Sequence, residues 1–243
     1  NEDIDKTHNP EFAMMECYAA NWDYNDQMTL VENLFAYLAK ELTGGTVIEY
    51  GEKKIDLKPP WKRLPMKQGL REYAKLDVDK LKDNALEKLV REHAPGYDGP
   101  KIRGLLITEL FEALVEEKLG INPVFITDYP RETTPLCKTH RDDPTLIERF
   151  EPVVNGWEMG NGYSELNDPQ LQRKLLEQQA HEGRAGGTAE PVDEDFITAI
   201  EYGMPPTAGL GLGIDRMVML FTNQPTIKDV ILWPQMKNKE EKK

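Results

Sequence analysis

Two acidic side chains around one predicted β-hairpin could converge on a cation. Residues 147–166 are predicted to form this hairpin, with Asn155-Gly156 at its tip, a dipeptide typical of a two-residue turn. With that turn, Val153 faces Glu158, and Glu151 lies one diagonal step away on the same face, roughly 7–8 Å off. Carboxylates at this separation can hold a hard divalent cation or a cation-bound phosphate. The alternative is a solvated hairpin face with two unrelated glutamates.

The second half of the hairpin carries an amide, a phenol and a carboxylate. Asn161, Tyr163 and Glu165 alternate along the chain and therefore share one strand face. Simple alternation places Glu158 on the opposite face. A common pocket for all four side chains therefore requires a bulge at one of the glycines beside Asn161. A polar strand face on the wet side of a sheet is the alternative.

Glycines alternate in the stretch GLGLGIDR, which runs from Gly209 to Arg216. They remove side chains from one strand face, so that a flat ligand can lie against the backbone. Arg216 follows in the first turn of a predicted helix, where a guanidinium can stack on an aromatic base and contact phosphate. The spacing is not GxGxxG, and no βαβ unit is predicted around it, which disfavours a dinucleotide site. Close helix–strand packing would explain the glycines but not the arginine.

The opening segment adds polar and aromatic groups. His8, Asn9 and Phe12 lie in one turn that leads into a strand, and Glu16 and Tyr18 share the strand face of Phe12. A lone histidine in a turn is more often structural than functional. The carboxylates here and in the hairpin nevertheless favour a ligand with positive charge, because an acidic ligand would meet uncompensated like charge.

Strands and helices alternate with hairpin links in the predicted order of elements. This pattern favours an α+β fold, an antiparallel sheet flanked by helices, over a Rossmann domain. Helical periodicity predicts helices over 26–42, 193–202 and 214–222, and a helical insertion at about 77–120. Strands are predicted over 12–22, 46–50, 55–57, 123–127, 207–213 and 230–232.

The composition excludes several classes of protein. The 243 residues are 39% hydrophobic and 30% charged, which is too apolar for a disordered chain. No apolar run approaches the roughly 18–20 residues that span a bilayer. Two cysteines, Cys17 and Cys137, rule out a disulfide framework and fit a reducing compartment. The net charge of −13 argues against a dedicated nucleic-acid-binding surface on this chain.

Three long stretches, in the expected order, resemble the catalytic domain of the class II lysyl-tRNA synthetases over nearly the whole chain. The second signature motif of that family is similar to NEDIDKTHNPEF…ECY. Its metal- and lysine-binding hairpin is similar to ERFEPVVNGWEMGNGYSELNDPQ, and its third motif to EYGMPPTAGLGLGIDRMVMLFTNQPTIKDVILWP. The resemblance implies a class II catalytic domain over residues 1–243, incomplete at its N-terminus and without the anticodon-binding domain.

The resemblance also implies an activity and roles by position. The enzyme would be homodimeric and cytoplasmic, with no membrane partner. It would activate lysine with ATP and Mg²⁺ and transfer it to tRNA(Lys). Arg216 and Glu2 are implied as catalytic, and Phe12 and Arg216 would enclose the adenine. The implied ATP-binding residues are Glu2, His8, Asn9, Phe12, Glu151, Glu158 and Arg216; the lysine-binding residues are Glu16, Tyr18, Asn161, Tyr163 and Glu165; the Mg²⁺ ligands are Glu151 and Glu158.

The chain also departs from the family pattern. The arginine that would precede Asn1 and the family's first motif are absent from the 243 residues. We therefore expect these residues alone to show little or no lysine-dependent ATP–pyrophosphate exchange. Two other functions stay open: a lysyl-transferase paralogue that modifies a translation factor, and a non-catalytic binding module derived from a synthetase. Gly211 favours the synthetase over the paralogue, and the intact lysine and Mg²⁺ positions disfavour the binding module.

Overall fold

A mixed sheet lies at the centre of the structure, a computed structural model that describes residues 4–181 and 192–235. Its strand order within these residues is β1-β9-β8-β6-β5-β4, with β7 beside β6, while β2 and β3 form a separate hairpin. The strands are β1 (Met14–Ala20), β2 (Val47–Tyr50), β3 (Lys53–Asp56), β4 (Lys62–Pro65), β5 (Val124–Pro130), β6 (Leu146–Val154), β7 (Trp157–Glu158), β8 (Gly160–Ser164) and β9 (Thr207–Gly213).

Helices pack against both faces of this sheet. Along the described ranges they are α1 (Tyr24–Thr43), α2 (Met66–Tyr73), α3 (Asp83–His93), α4 (Arg103–Leu114), α5 (Pro169–His181), α6 (Glu194–Glu201) and α7 (Ile214–Phe221). Helix α1 begins with a capping box between Asp23 and Asp26 and ends at Gly44, whose φ of 83° suits glycine. None of the helices in the described part of the chain is long and apolar enough to cross a membrane.

Alternation along the strands divides the core into two layers. On β5, Phe125 packs into the cluster that contains Phe35 of α1, whereas Ile126 packs into the cluster that contains Leu106 and Phe111 of α4. These side chains are almost completely buried. The sheet is therefore covered by α1 on one face and by the α2–α4 region on the other.

The predicted α+β architecture is confirmed, with one difference in strand direction. Within the described residues, the neighbouring strands of the sheet are antiparallel except β4 and β5, which are parallel. A parallel pair needs a crossover connection, and here the connection contains α2, α3 and α4. The sequence prediction missed β4 and α2, because a four-residue strand that contains Lys62 and Arg63 carries little periodicity.

The predicted strand over residues 230–232 is wrong. The chain forms a short 3₁₀ turn at Ile227–Asp229 and then continues without pairing to the sheet. Leu232 and Trp233 are each 88% exposed. An apolar run of three residues is too short to distinguish a strand from an exposed turn.

A buried ion pair connects β4 to α1. Arg63 Nη1 and Nη2 donate to Glu32 Oε2 and Oε1 at 2.6 and 3.0 Å, and the Glu32 side chain is 6% exposed. Glu32 Oε2 also accepts a hydrogen bond from the Trp61 backbone at 2.9 Å. The guanidinium carbon lies 4.9 Å from the centre of the Phe125 ring.

We expect Arg63→Met to lower the free energy of unfolding by about 3 kcal/mol, because it leaves the Glu32 carboxylate buried without its cation. Urea denaturation followed by tryptophan fluorescence measures this change. Lys54→Met is the matched control, since the Lys54–Glu49 pair is about three-quarters exposed and spans 4.0 Å; it should change stability by less than about 0.5 kcal/mol. Equal effects of the two substitutions would contradict the prediction.

Candidate active site

The hairpin forms with the predicted register. Val153 pairs with Glu158 across the turn, and the turn residues Asn155 and Gly156 both have positive φ, 57° and 74°. These angles suit the Asn-Gly dipeptide, which accepts the left-handed conformation at little cost.

A bulge lies between β7 and β8. Phe150 pairs with Gly162, and Val153 pairs with Glu158, so residues 159–161 of one strand lie opposite residues 151–152 of the other. The extra residue shifts the alternation by one position and brings Glu158 to the face that carries Asn161. The predicted bulge is confirmed, and it allows the two ends of the hairpin to share one cleft.

At one end of the cleft, Glu151 and Glu158 line a cavity of about 210 Å³ together with His8 and Arg216. The pKa of Glu158 is raised to about 7, first by burial in the cleft and then by the negative charge of Glu151. The Glu158 side chain still has 48% of its surface exposed, so that its oxygens remain accessible.

The donor set of this end fits Mg²⁺. It offers two carboxylates to a cation that prefers oxygen ligands and keeps several sites for water and phosphate. Among the described residues, no group of three or more His, Cys, Asp and Glu side chains is arranged to hold a metal ion. A site of two carboxylates leaves positions open for further oxygen ligands, such as water or a phosphate.

Beside the end that contains Glu151 and Glu158, Phe12 and Arg216 line a cavity of about 220 Å³. Arg216 Nη1 donates to the Glu158 carbonyl at 2.5 Å, and Nη2 donates to His8 Nε2 at 3.0 Å. His8 Nδ1 then donates to Asp5 Oδ2 at 2.8 Å. This chain of contacts fixes the guanidinium against the hairpin, in the cavity that Phe12 also lines.

Asp5 is a site residue that the sequence prediction missed. Its Oδ1 accepts from the backbone N–H groups of Thr7 and His8, both at 2.7 Å. Burial opposes ionisation of Asp5, but these hydrogen bonds and His8 outweigh it and lower the pKa of Asp5 to about 2. The sequence signal for such a turn is an aspartate whose side chain accepts from the backbone N–H groups of the second and third residues after it.

At the other end of the cleft, a cavity of about 170 Å³ brings together the five residues that the resemblance assigns to lysine, which are Glu16, Tyr18, Asn161, Tyr163 and Glu165. None of the described residues that line it is a lysine or an arginine. Burial raises the pKa of Glu165 to about 7. Burial also raises the pKa of Tyr18 and that of Tyr163, with the Glu165 charge as a further cause in both.

Strand β9 forms the floor of this cavity. Gly211 pairs with Glu16 on one side and with Asn161 on the other. Gly209 pairs with Tyr18 on one side and with Tyr163 on the other. A Cβ atom at Gly209 would overlap Glu165 Oε1 and lie 2.8 Å from the Tyr18 ring. The glycines therefore clear the strand face, as the sequence pattern predicts.

Arg149 joins the two ends of the cleft and was also missed from the sequence. Its Nε donates to Asn161 Oδ1 at 2.8 Å, and its Nη2 donates to Glu151 Oε1 at 2.5 Å. The guanidinium carbon lies 4.5 Å from the centre of the Tyr129 ring. Its position two residues before Glu151 on the same strand face was the available signal.

The comparisons with known proteins agree with this geometry. The family described as class II tRNA synthetases (D, K and N) matches residues 1–237. This chain belongs to that family. It is similar to lysine–tRNA ligase 2 of Methanosarcina mazei, with 49% identity over 99% of the chain and 47% of the relative. The lysine–tRNA ligase of Saccharolobus solfataricus is 50% identical over 98% of the chain and 49% of its own length. That of Bacillus subtilis is 46% identical over 98% and 48%.

The chain spans about half the length of the curated relatives that it matches. One of the predicted ATP-binding residues of this class II synthetase chain does not line the cleft in the structure. Asn9 is fully buried, its Nδ2 donates to the Glu11 carbonyl at 2.5 Å, and its Oδ1 has no partner. Glu2 lies outside the described residues. The other predicted site residues line the three adjoining cavities.

Proposed function

We propose that this chain is the catalytic part of a lysine–tRNA ligase. The observation that carries the proposal is the amino-acid cavity, where Glu16 and Glu165 meet without a lining lysine or arginine among the described residues. Such a cavity favours an amino acid with a second ammonium group and disfavours aspartate, which would add like charge. The relatives named above carry the same activity in their names.

Each substrate has its own place along the cleft. Lysine lies over Gly209 and Gly211, and the adenine lies between Phe12 and Arg216. Glu151 and Glu158 would hold Mg²⁺, which would neutralise charge on the phosphates. Glu158 lines all three cavities, whereas Glu151 lines one of them, so the phosphates have to pass Glu158 on the way to the lysine end.

Catalysis in this arrangement comes from positioning and charge rather than from a protein nucleophile. A lysine carboxylate oxygen attacks the α-phosphorus of ATP, and pyrophosphate leaves. A terminal ribose hydroxyl of tRNA(Lys) then attacks the lysyl carbonyl, and AMP leaves with the electron pair of the mixed anhydride. Glu165 keeps the substrate oriented by pairing with an ammonium group through both steps.

The remaining partners follow from the same activity. A translation enzyme of this kind works in the cytoplasm, as a homodimer, on a tRNA whose acceptor end alone must enter the cleft. A net charge of −13 favours a tRNA-binding surface that lies mainly outside these 243 residues.

ATP–pyrophosphate exchange, measured in the natural protein that carries this chain, tests the proposal. Lysine should support exchange at least about 100-fold better than aspartate or asparagine, since the wrong substrate leaves buried charge unpaired. Charging of tRNA(Lys) should follow. Exchange without charging would favour the paralogue that modifies a translation factor, and lysine binding without exchange would favour the binding module.

Lysine affinity is expected to increase from pH 6 to pH 8. The pKa of Glu165 is raised to about 7, whereas the lysine ammonium groups stay protonated over this range. Below pH 7 the carboxyl group is mostly neutral and must lose a proton before it can pair, so affinity at pH 6 should be roughly tenfold below its plateau. Isothermal titration at several pH values measures the profile. Glu165→Gln should make it flat, and equal affinity of the unaltered protein at pH 6 and pH 8 would contradict the prediction.

A further inference from the structure

Arg149 occupies an unusual position between the predicted lysine and Mg²⁺ ends of the cleft. Its side chain is 18% exposed, like that of Glu151. It pairs with Tyr163 across the sheet and lies diagonally from Asn161, which explains how one guanidinium reaches both an amide and a carboxylate. Its two partners are predicted to bind different ligands: Asn161 is a predicted lysine-binding residue, and Glu151 is a predicted Mg²⁺ ligand.

The contact with Asn161 determines how that amide is oriented. A guanidinium has donors and no acceptor, so the atom that it contacts at 2.8 Å must be the amide oxygen. The Nδ2 group of Asn161 is therefore left to donate towards the amino-acid cavity, which Asn161 lines. Without Arg149 the amide could rotate and offer an acceptor instead.

The contact with Glu151 satisfies one carboxylate oxygen and supplies a positive charge. On the α4 side of β6, Arg149 lines a cavity of about 220 Å³ with Glu112, Glu116 and Glu151. Among the described residues that line this cavity, Arg149 is the one basic side chain. Like charges this close repel one another unless a cation lies between them. In the absence of nucleotide, the guanidinium of Arg149 serves as this cation.

We propose that Arg149 is a positioning residue that couples the two substrate ends of the cleft. It holds Asn161 as a hydrogen-bond donor towards lysine, and it serves as a resident counter-ion on Glu151 that keeps affinity for free divalent cations low until nucleotide phosphates arrive. The inference rests on the proposed function, because it takes lysine and a phosphate-bound cation as the ligands. It predicts that loss of the guanidinium changes the two affinities in opposite directions.

Arg149→Met tests this directly in the natural protein. We expect the dissociation constant for lysine to increase on the order of tenfold, since the Asn161 amide is no longer fixed. The affinity for Mn²⁺ without nucleotide, followed by its paramagnetic resonance signal, should increase by a similar factor because a repelling charge is gone. Simple damage to the fold would weaken both interactions.

Arg149→Lys separates geometry from charge. A lysine ammonium keeps the positive charge but cannot contact both acceptors with a fixed fork. We expect Mn²⁺ affinity within about threefold of the unaltered protein and lysine affinity reduced nearly as far as in Arg149→Met. This variant also keeps the test informative if Arg149→Met does not fold.

Arg63→Met is the matched control. Arg63 also pairs with a buried glutamate and lies over an aromatic ring, but it contacts Glu32 and Phe125 rather than residues of the cleft. It should lower stability without changing either affinity by more than about twofold.

Two outcomes overturn the proposal: lysine affinity unchanged in both Arg149 variants, or Mn²⁺ affinity that falls in Arg149→Met. If the unaltered protein does not bind lysine at all, the proposed function fails by itself. The Mn²⁺ measurement still decides whether Arg149 acts as the counter-ion of Glu151.

Discussion

Glu158→Gln is expected to slow Mg²⁺-dependent formation of lysyl-adenylate by roughly 30- to 1000-fold, equivalent to about 2–4 kcal/mol. The amide keeps the size of the side chain but removes one of the two carboxylates that line the same cavity beside the hairpin. A single carboxylate is a poor partner for a divalent cation that must also hold phosphates. Lysine-dependent pyrophosphate exchange over a range of Mg²⁺ concentrations measures the loss.

Glu112→Gln is the control for this substitution. Glu112 lines the cavity that contains Arg149 and Glu151, but it does not line the cavity that Glu151 shares with Glu158. Its replacement should change the exchange rate by less than about threefold. Unchanged exchange in Glu158→Gln would refute the assignment of Glu158 to the metal.

Glu165→Gln is expected to lower kcat/KM for lysine by roughly 150- to 4000-fold, about 3–5 kcal/mol, because a buried ammonium would lose its counter-ion. Glu165 is the deeper of the two carboxylates in the amino-acid cavity, whereas Glu16 is exposed. Exchange kinetics with varied lysine concentrations give this value, with Glu16→Gln measured in parallel. Equal kcat/KM values for Glu165→Gln and the unaltered protein would refute the role of Glu165.

A lysine analogue shows which ammonium each carboxylate recognises. 6-Aminohexanoate keeps the carboxylate and the ε-ammonium but has no α-amine. If Glu165 pairs with the ε-ammonium, the substitution should weaken binding of this analogue as much as it weakens binding of lysine. If Glu165 pairs with the α-amine, the analogue should bind the variant and the unaltered protein equally well.

The sequence predicted the parts of the site that depend on local rules. The Asn155-Gly156 turn determines the hairpin register. Simple alternation would then place Glu158 on the face opposite Asn161, so a pocket shared by the two residues required a bulge. The glycines of β9 were likewise predicted to clear a face, because side-chain absence is visible in the sequence itself. These features involve residues that are close in the chain.

Features that depend on distant contacts were not predicted. The parallel pairing of β4 with β5 depends on helices packing between them, and no periodicity in Lys62–Pro65 indicates it. Asn9 has the polarity of a ligand contact, yet tertiary packing buries it completely. The role of Arg149 depends on its two acceptors, Asn161 and Glu151, of which Asn161 lies on the neighbouring strand.

The pairing of β1 with β9 has a consequence for synthesis of the protein. Met14 pairs with Gly213, so the floor of the amino-acid cavity joins segments that are separated by nearly the entire described chain. Contacts of such long sequence separation form late, because the entropy cost of closing a large loop must be met before the contacts contribute favourable free energy. A nascent chain on the ribosome therefore cannot hold lysine between these strands until the GLGLG segment has emerged. A chain that terminates before this segment lacks β9, so β1 has no strand to pair with and β8 becomes an exposed edge. We expect such a chain to aggregate rather than to show partial activity.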